Sequence, residues 1–215
     1  MKITPLTPTD EEQKVMHKAM IHHERKEYDK AFLLYKQVAK GNYTELSFFA
    51  AMRLGKMYLD GKGTTKDEAQ AFYWYSKAAE TGNEQAQCVL AAMYYNGVGV
   101  TEDYQKALVW FRKAAEQGYS DAQCGLGKMY LYGKGVKATH YESIQWFRKA
   151  AEQGDADAMY HIGLIYHEEK NKDEAMVWFR KAAKKGNADA KRYLRENGLF
   201  KVFYDVIEEV KYSLK

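Results

Sequence analysis

By type, the residues best suited to chemistry in this chain are its two cysteines, its six histidines and the Gly-x-Gly tripeptides that recur at 61–63, 97–99 and 133–135. Cys88 and Cys124 stand 36 positions apart. A disulfide needs Cα atoms within about 7 Å, whereas packed helices lie about 8–10 Å apart, so the pair is expected to remain as thiols. Reduced thiols suit a cytoplasmic protein. His22-His23-Glu24 lacks the i, i+4 ligand spacing of a zinc-binding helix. His161 and His167 are six positions apart, about a third of a turn away from a shared helical face. No G-x-S-x-G or C-x-x-C is present. Gly61-Lys62-Gly63, Gly97-Val98-Gly99 and Gly133-Lys134-Gly135 do not read as phosphate loops, because such a loop follows a strand and opens a helix. Here the turn follows a helical pattern and recurs every 36 residues. The expectation is a chain with no catalytic residues, no metal ligands and no cofactor: not an enzyme.

The elements behind these residues explain the recurrence. Residues 78–113 and 114–149 are identical at 17 of 36 aligned positions without a gap. A period of this length signals stacked copies of one supersecondary unit. Within a copy, Ala122, Leu126, Met129 and Tyr130 make one apolar helical stripe. Gly133 and Gly135 break that helix, since each glycine costs it about 1 kcal/mol relative to alanine. Ile144, Phe147, Ala150 and Ala151 then make a second stripe. Gly154 is placed to end this helix in a left-handed conformation, and Asp155 to cap the next. Gly82-Asn83 and Gly186-Asn187 repeat that stop-and-start signal. Two such helices cannot bury their apolar faces alone, so neighbouring units must stack. Gly127, with Gly55, Ala91 and Gly163 as equivalents, is expected to let two helices approach closely. Trp74, Trp110, Trp146 and Trp178 share one position and read as core wedges.

These residues resemble the Sel1-like repeat family, relatives of the tetratricopeptide repeats. The resemblance is carried by Ala86, Leu90, Tyr94, Gly97, Gly99, Val100, Asp103, Ala107, Trp110, Phe111, Lys113, Ala114, Ala115 and Gly118, with Ala91 in place of the usual glycine. It spans residues 10–196, most of the chain. It implies an all-α fold: a right-handed α/α superhelical solenoid of about five helix-turn-helix repeats with C-terminal capping helices. It also implies an adaptor or scaffold for other proteins, and points to a bacterial source. The secreted, cysteine-rich branch of the family carries paired cysteines within each unit. Ala115 and Ala151 stand where a second cysteine would be, so that branch and its penicillin-related activity are not supported.

In chain order, residues 1–8 carry both prolines and read as a loose arm. Residues 9–41 form a short tetratricopeptide-like repeat opened by a capping box at Thr9 and Glu12. Residues 42–82 follow, with a surface loop expected over 42–46, then repeats at 83–118 and 119–154. In the last of these Thr139 replaces the usual aspartate cap. Residues 155–186 form another short repeat, whose charged turn, His167-Glu168-Glu169-Lys170-Asn171, matches His23-Glu24-Arg25-Lys26-Glu27 of the first. Residues 187–215 read as capping helices, the last from Leu199 to Leu214. These segments make one continuous domain.

The net charge is +4, and no stretch approaches the roughly 20 apolar residues of a membrane span. The N-terminus has no apolar h-region of a signal peptide, which agrees with a cytoplasmic location. Residues 170–215 hold 12 Lys and Arg against 7 Asp and Glu. An alternative function is therefore nucleic-acid or acidic-partner binding through Lys181, Lys184, Lys185, Lys191, Arg192 and Arg195, although no nucleic-acid module is recognisable. The favoured function is protein binding, with a monomer expected. In tetratricopeptide arrays the first helix of each unit lines a concave groove. By register this places Phe49, Met52, Lys56, Cys88, Tyr95, Cys124, Lys128, Leu131, Tyr132, Tyr160 and His167 on a peptide-binding groove. Aromatic residues dominate binding hot spots. The competing role for Tyr95 and Tyr132 is packing on the adjacent unit.

Overall fold

The computed structural model describes residues 7–41 and 45–197, and among them there is no strand. Ten helices follow one another: α1 (Asp10–Glu24), α2 (Tyr28–Ala39), α3 (Glu45–Asp60), α4 (Glu68–Glu80), α5 (Glu84–Asn96), α6 (Tyr104–Glu116), α7 (Ser120–Tyr132), α8 (His140–Glu152), α9 (Ala156–Glu168) and α10 (Lys172–Lys184). Residues 188–197 are helical as well. The expected final helix, Leu199 to Leu214, lies outside the described residues, as do positions 1–6 of the N-terminal arm. The helices group into two compact units, residues 1–122 and 123–215.

Helix starts follow the capping residues. Thr9 and Glu12 form the reciprocal capping box, Glu12 N donating to Thr9 Oγ1 at 3.2 Å and Thr9 N to Glu12 Oε2 at 2.9 Å. Asp67, Asn83, Asp103, Asp155 and Asn171 each accept from a backbone N–H of the first turn of their helix. Thr139 makes no side-chain cap bond, the weakness its sequence suggests. Helix ends follow the glycines. Gly154 has φ 93°; its N–H donates to Ala151 O at 2.9 Å and that of Asp155 to Ala150 O at 3.1 Å, which satisfies carbonyls the helix leaves open.

The Gly-x-Gly turns at 61–63 and 97–99 have a second task besides stopping a helix. A β-carbon on Gly99 would overlap the Glu68 carbonyl, and one on Gly63 would overlap that of Tyr28. The second glycine thus lets the turn touch the opening of an earlier helix. The turns close in a repeated way: Asp67 N donates to Tyr58 O, Asp103 N to Tyr94 O and Thr139 N to Tyr130 O, at 2.9–3.0 Å.

In the first unit α1 to α6 contact one another in sequence, around Tyr35, Leu54, Met57, Ala78 and Leu90. In the second unit α8, α9 and α10 do the same, around Phe147, Ile162, Ile165 and Phe179. Two expectations are corrected here. Of the four tryptophans only Trp74 is buried, and Trp110, Trp146 and Trp178 are half-buried. The wedge is the neighbouring ring, Tyr75, Phe111, Phe147 or Phe179, each buried. Trp110 and Trp178 still pack against the core from its edge, and the three half-buried indoles each also carry a lysine from the next turn, with Lys113, Lys149 and Lys181 Nζ 3.9–4.2 Å from the ring centroids. The loop expected over 42–46 is shorter, because α3 already begins at Glu45 and Leu46 packs against the core. Residues 42–44 lie outside the described residues.

Candidate functional site

The first-helix face of the first unit is built on α3 and α5. Phe49, Met52 and Lys56 recur at the helical spacing that puts them on one side of α3. Phe49 is 38% exposed, Met52 is half-buried and Lys56 is exposed. Phe49 and Met52 border a shallow cleft shared with Glu45, Phe48, Thr81, Asn83 and Gln85. Cys88 and Tyr95 of α5 are half-buried, and Tyr95 meets Tyr104 edge-on at 5.2 Å between centroids.

The corresponding face of the second unit is built on the end of α7 and on α9. Lys128 and Leu131 are half-buried, and Tyr132 is 56% exposed. Tyr160 is half-buried and leans on Phe179, with centroids 5.6 Å apart. His167 is exposed, its Nδ1 3.0 Å from the Tyr193 hydroxyl. Cys124 departs from the groove assignment. It is only 5% exposed and sits in the core cluster with Ile144, Phe147 and Ile162, so its short side chain offers nothing to a partner.

Three features escape a reading by repeat register. The first is Arg53 on α3, whose guanidinium lies over the Phe49 ring at 4.7 Å. Burial, then Arg53, then Lys62 hold the imidazole of His23 below its usual pKa. His23 Nδ1 is buried with no hydrogen-bond partner among the described residues, and its ring abuts Tyr28 edge-on at 5.3 Å. The second is His161 on α9, stacked flat on Phe147 with centroids 5.1 Å apart. Burial, reinforced by Lys128, pushes its pKa down to about 4. The third is a glutamine clasp: Gln117 Nε2 donates to Gln87 Oε1 at 2.8 Å, and Gln153 Nε2 to Gln123 Oε1 at 2.9 Å. Gln87 and Gln123 are buried. The same pair of glutamines in successive repeats was the available signal.

Among the described residues, no group of three or more His, Cys, Asp or Glu side chains could hold a metal ion. Both cysteines are thiols rather than a disulfide. No described helix is long and apolar enough to cross a membrane. At the basic C-terminal end, Lys181 is engaged with Trp178 and Arg192 pairs with Asp189 at 2.7 Å.

Residues 49–83, 84–119 and 120–155 each match the Sel1 repeat model, and residues 156–184 match a tetratricopeptide repeat. A Sel1 repeat protein from Oxalobacter formigenes is 34% identical, over 83% of this chain and 73% of that one, with a TM-score of 0.75. A protective antigen of uropathogenic Escherichia coli that displays an SLR fold is 36% identical, with a TM-score of 0.71. That match covers 78% of this chain but 36% of the antigen. An immunity protein from Pseudomonas aeruginosa, 22% identical over 89% of this chain and 71% of its own, shares the fold at a TM-score of 0.57. No curated protein gives a significant sequence match.

Proposed function

The chain belongs to the Sel1 repeat family of α/α solenoid proteins, and on that premise we propose that it is a non-catalytic adaptor that holds a peptide or helix of a partner protein on its first-helix face. The observation that carries this reading is the character of that face. In the first unit Phe49 exposes large aromatic surface on the helix that carries Lys56, and in the second unit Tyr132 does so one helical turn after Lys128. Exposed aromatic groups bordered by charge are the composition of a binding patch. The proposed contact residues are Phe49, Met52, Lys56, Cys88, Tyr95, Lys128, Leu131, Tyr132, Tyr160 and His167. The tyrosines supply buried area, and Lys56 and Lys128 meet acidic groups. We place the adaptor in the cytoplasm of a bacterium, as a monomer, in keeping with cysteines that stay reduced.

The test is a pull-down from native lysate comparing the wild type with the Tyr95→Ala, Lys128→Ala, Tyr132→Ala triple variant, read by mass spectrometry. A protein captured by the wild type and lost by a variant of unchanged helicity is the expected result. Equal capture by both would move the site off this face.

A further inference from the structure

Arg53 is a cation of the first unit that makes no ion pair among the described residues. It is half-buried on α3. Among the described residues no carboxylate lies within 4 Å of its guanidinium, and none of its side-chain donors meets an acceptor. A guanidinium carries five N–H donors in a rigid fork, and those of Arg53 are not among the buried unpartnered atoms, so they stay open to a ligand. Its surroundings carry charges of both signs. Lys62 is close enough to act on the same imidazole, His23, as Arg53 does. The nearest acid on that turn, Asp60, is already paired with Lys62 at 3.2 Å. Glu24 acts on His23 and Tyr35 but makes no ion pair with Arg53. Glu45 opens α3 eight positions earlier, about 12 Å along the axis.

The arrangement is also oriented. Phe49 holds the guanidinium from one face at 4.7 Å, which leaves the edge of the fork for a ligand. Lys56 lies three positions further along the same side of α3, and Met52 lies beside Arg53. Positions 49, 52, 53 and 56 therefore join an aromatic ring, a flexible apolar side chain and two cations on one helix face. A planar fork pairs best with a carboxylate, through two parallel hydrogen bonds.

We propose that this α3 face selects an acidic peptide segment: Arg53, stacked on Phe49 and flanked by Lys56, takes an Asp or Glu side-chain carboxylate of the partner, while Met52 and Phe49 take an adjoining apolar residue. This assignment rests on the adaptor reading and narrows its acidic groups to a side-chain carboxylate held by Arg53.

The test presents immobilised wild-type protein with a random library of short peptides whose C-termini are amidated. Retained sequences are then resynthesised with each Asp or Glu changed to Asn or Gln, and affinities are read by fluorescence anisotropy against wild type, Arg53→Gln and Arg53→Lys. The expected pool is enriched in Asp or Glu next to Leu, Phe or Tyr. Its affinity falls about tenfold or more for the amide peptides and for Arg53→Gln, as when one member of a close charge pair is removed. Arg53→Lys falls in between. The amide peptides read the charge on unaltered protein, so an unfolded variant does not spoil the result. A retained pool without acidic enrichment overturns the proposal while leaving the adaptor reading intact. So does an affinity that Arg53→Gln leaves unchanged. Binding only by peptides with a free C-terminus overturns the side-chain assignment in favour of a chain end. No retained peptide overturns both readings.

Discussion

The ring of Phe147 lies against the backbone of Gly127: a β-carbon at Gly127 would come within 2.6 Å of two ring carbons. The same relation links Gly163 to Phe179 and Gly55 to Tyr75. Phe147 is fully buried, so it cannot retreat into solvent. Ser143, also fully buried, donates to Gly127 O at 2.8 Å and fixes the backbone on the other side of the contact. Gly127→Ala should therefore destabilise the protein by about 1–3 kcal/mol, the usual range for overpacking a core, despite alanine's better helix propensity. Urea unfolding followed by circular dichroism checks the sign.

The two short repeats end their first helices without glycine. Lys26 and Lys170 both have φ 61°, the non-glycine residues in the left-handed region among those described. That conformation costs an L-residue roughly 1–2 kcal/mol, offset in part by the extra chain entropy glycine loses on folding. Lys170→Gly and Lys26→Gly are each expected to stabilise by about 1 kcal/mol. A rise in the urea midpoint for both variants is the readout, and a fall in either would show that the lysine side chain compensates the strain.

The start of α8 can be improved in the same way. Asp67 and Asp103 hold the N–H of Gln70 and Lys106 at 2.9 Å, but Thr139 at the equivalent position caps nothing. Thr139→Asp should gain about 0.5–1 kcal/mol, and Asp103→Ala should lose about 1 kcal/mol. Thermal melts of both variants alongside the wild type decide it.

Much of the fold was legible because the repeat averages over copies. The glycines at 82, 118, 154 and 186, the caps at Asp103 and Asp155 and the small residue at Gly127 serve the same geometry each time, so position alone reveals them. The candidate site resists that logic. One first-helix position holds Arg53, Val89, Gly125 and His161 in successive repeats, with no shared chemistry, and a register that looks for recurrence passes over it. Yet Arg53 and His161 are members of that series that lie over an aromatic ring, Phe49 at 4.7 Å and Phe147 at 5.1 Å. Cys124 fails for the converse reason. It shares a position with Met52, Cys88 and Tyr160, which are half-buried, but its side chain ends inside the core. The tryptophan reading holds in part: Trp74 is buried and Trp110 and Trp178 pack on the edge of the core, whereas a lysine one turn on can cover an indole by cation–π contact without burying it.

His161 gives the fold a pH dependence whose sign can be worked out. Its ordinary pKa is 6.5 and the folded value is about 4. Burial against Phe147 is the main cause; Lys128 lowers the value further, and Asp157 opposes the shift. Between those two pH values the unfolded chain binds a proton that the folded chain does not, so stability falls as the pH drops. The loss begins near pH 6.5 and is complete near pH 4. Other groups titrate in the same interval, so the wild type alone is not diagnostic. His161→Phe keeps a flat ring over Phe147 and removes the titration. The urea midpoint should fall less between pH 7 and pH 5 in this variant than in the wild type. Equal falls in the two proteins would mean that His161 gains its proton in the folded state as readily as in the unfolded chain.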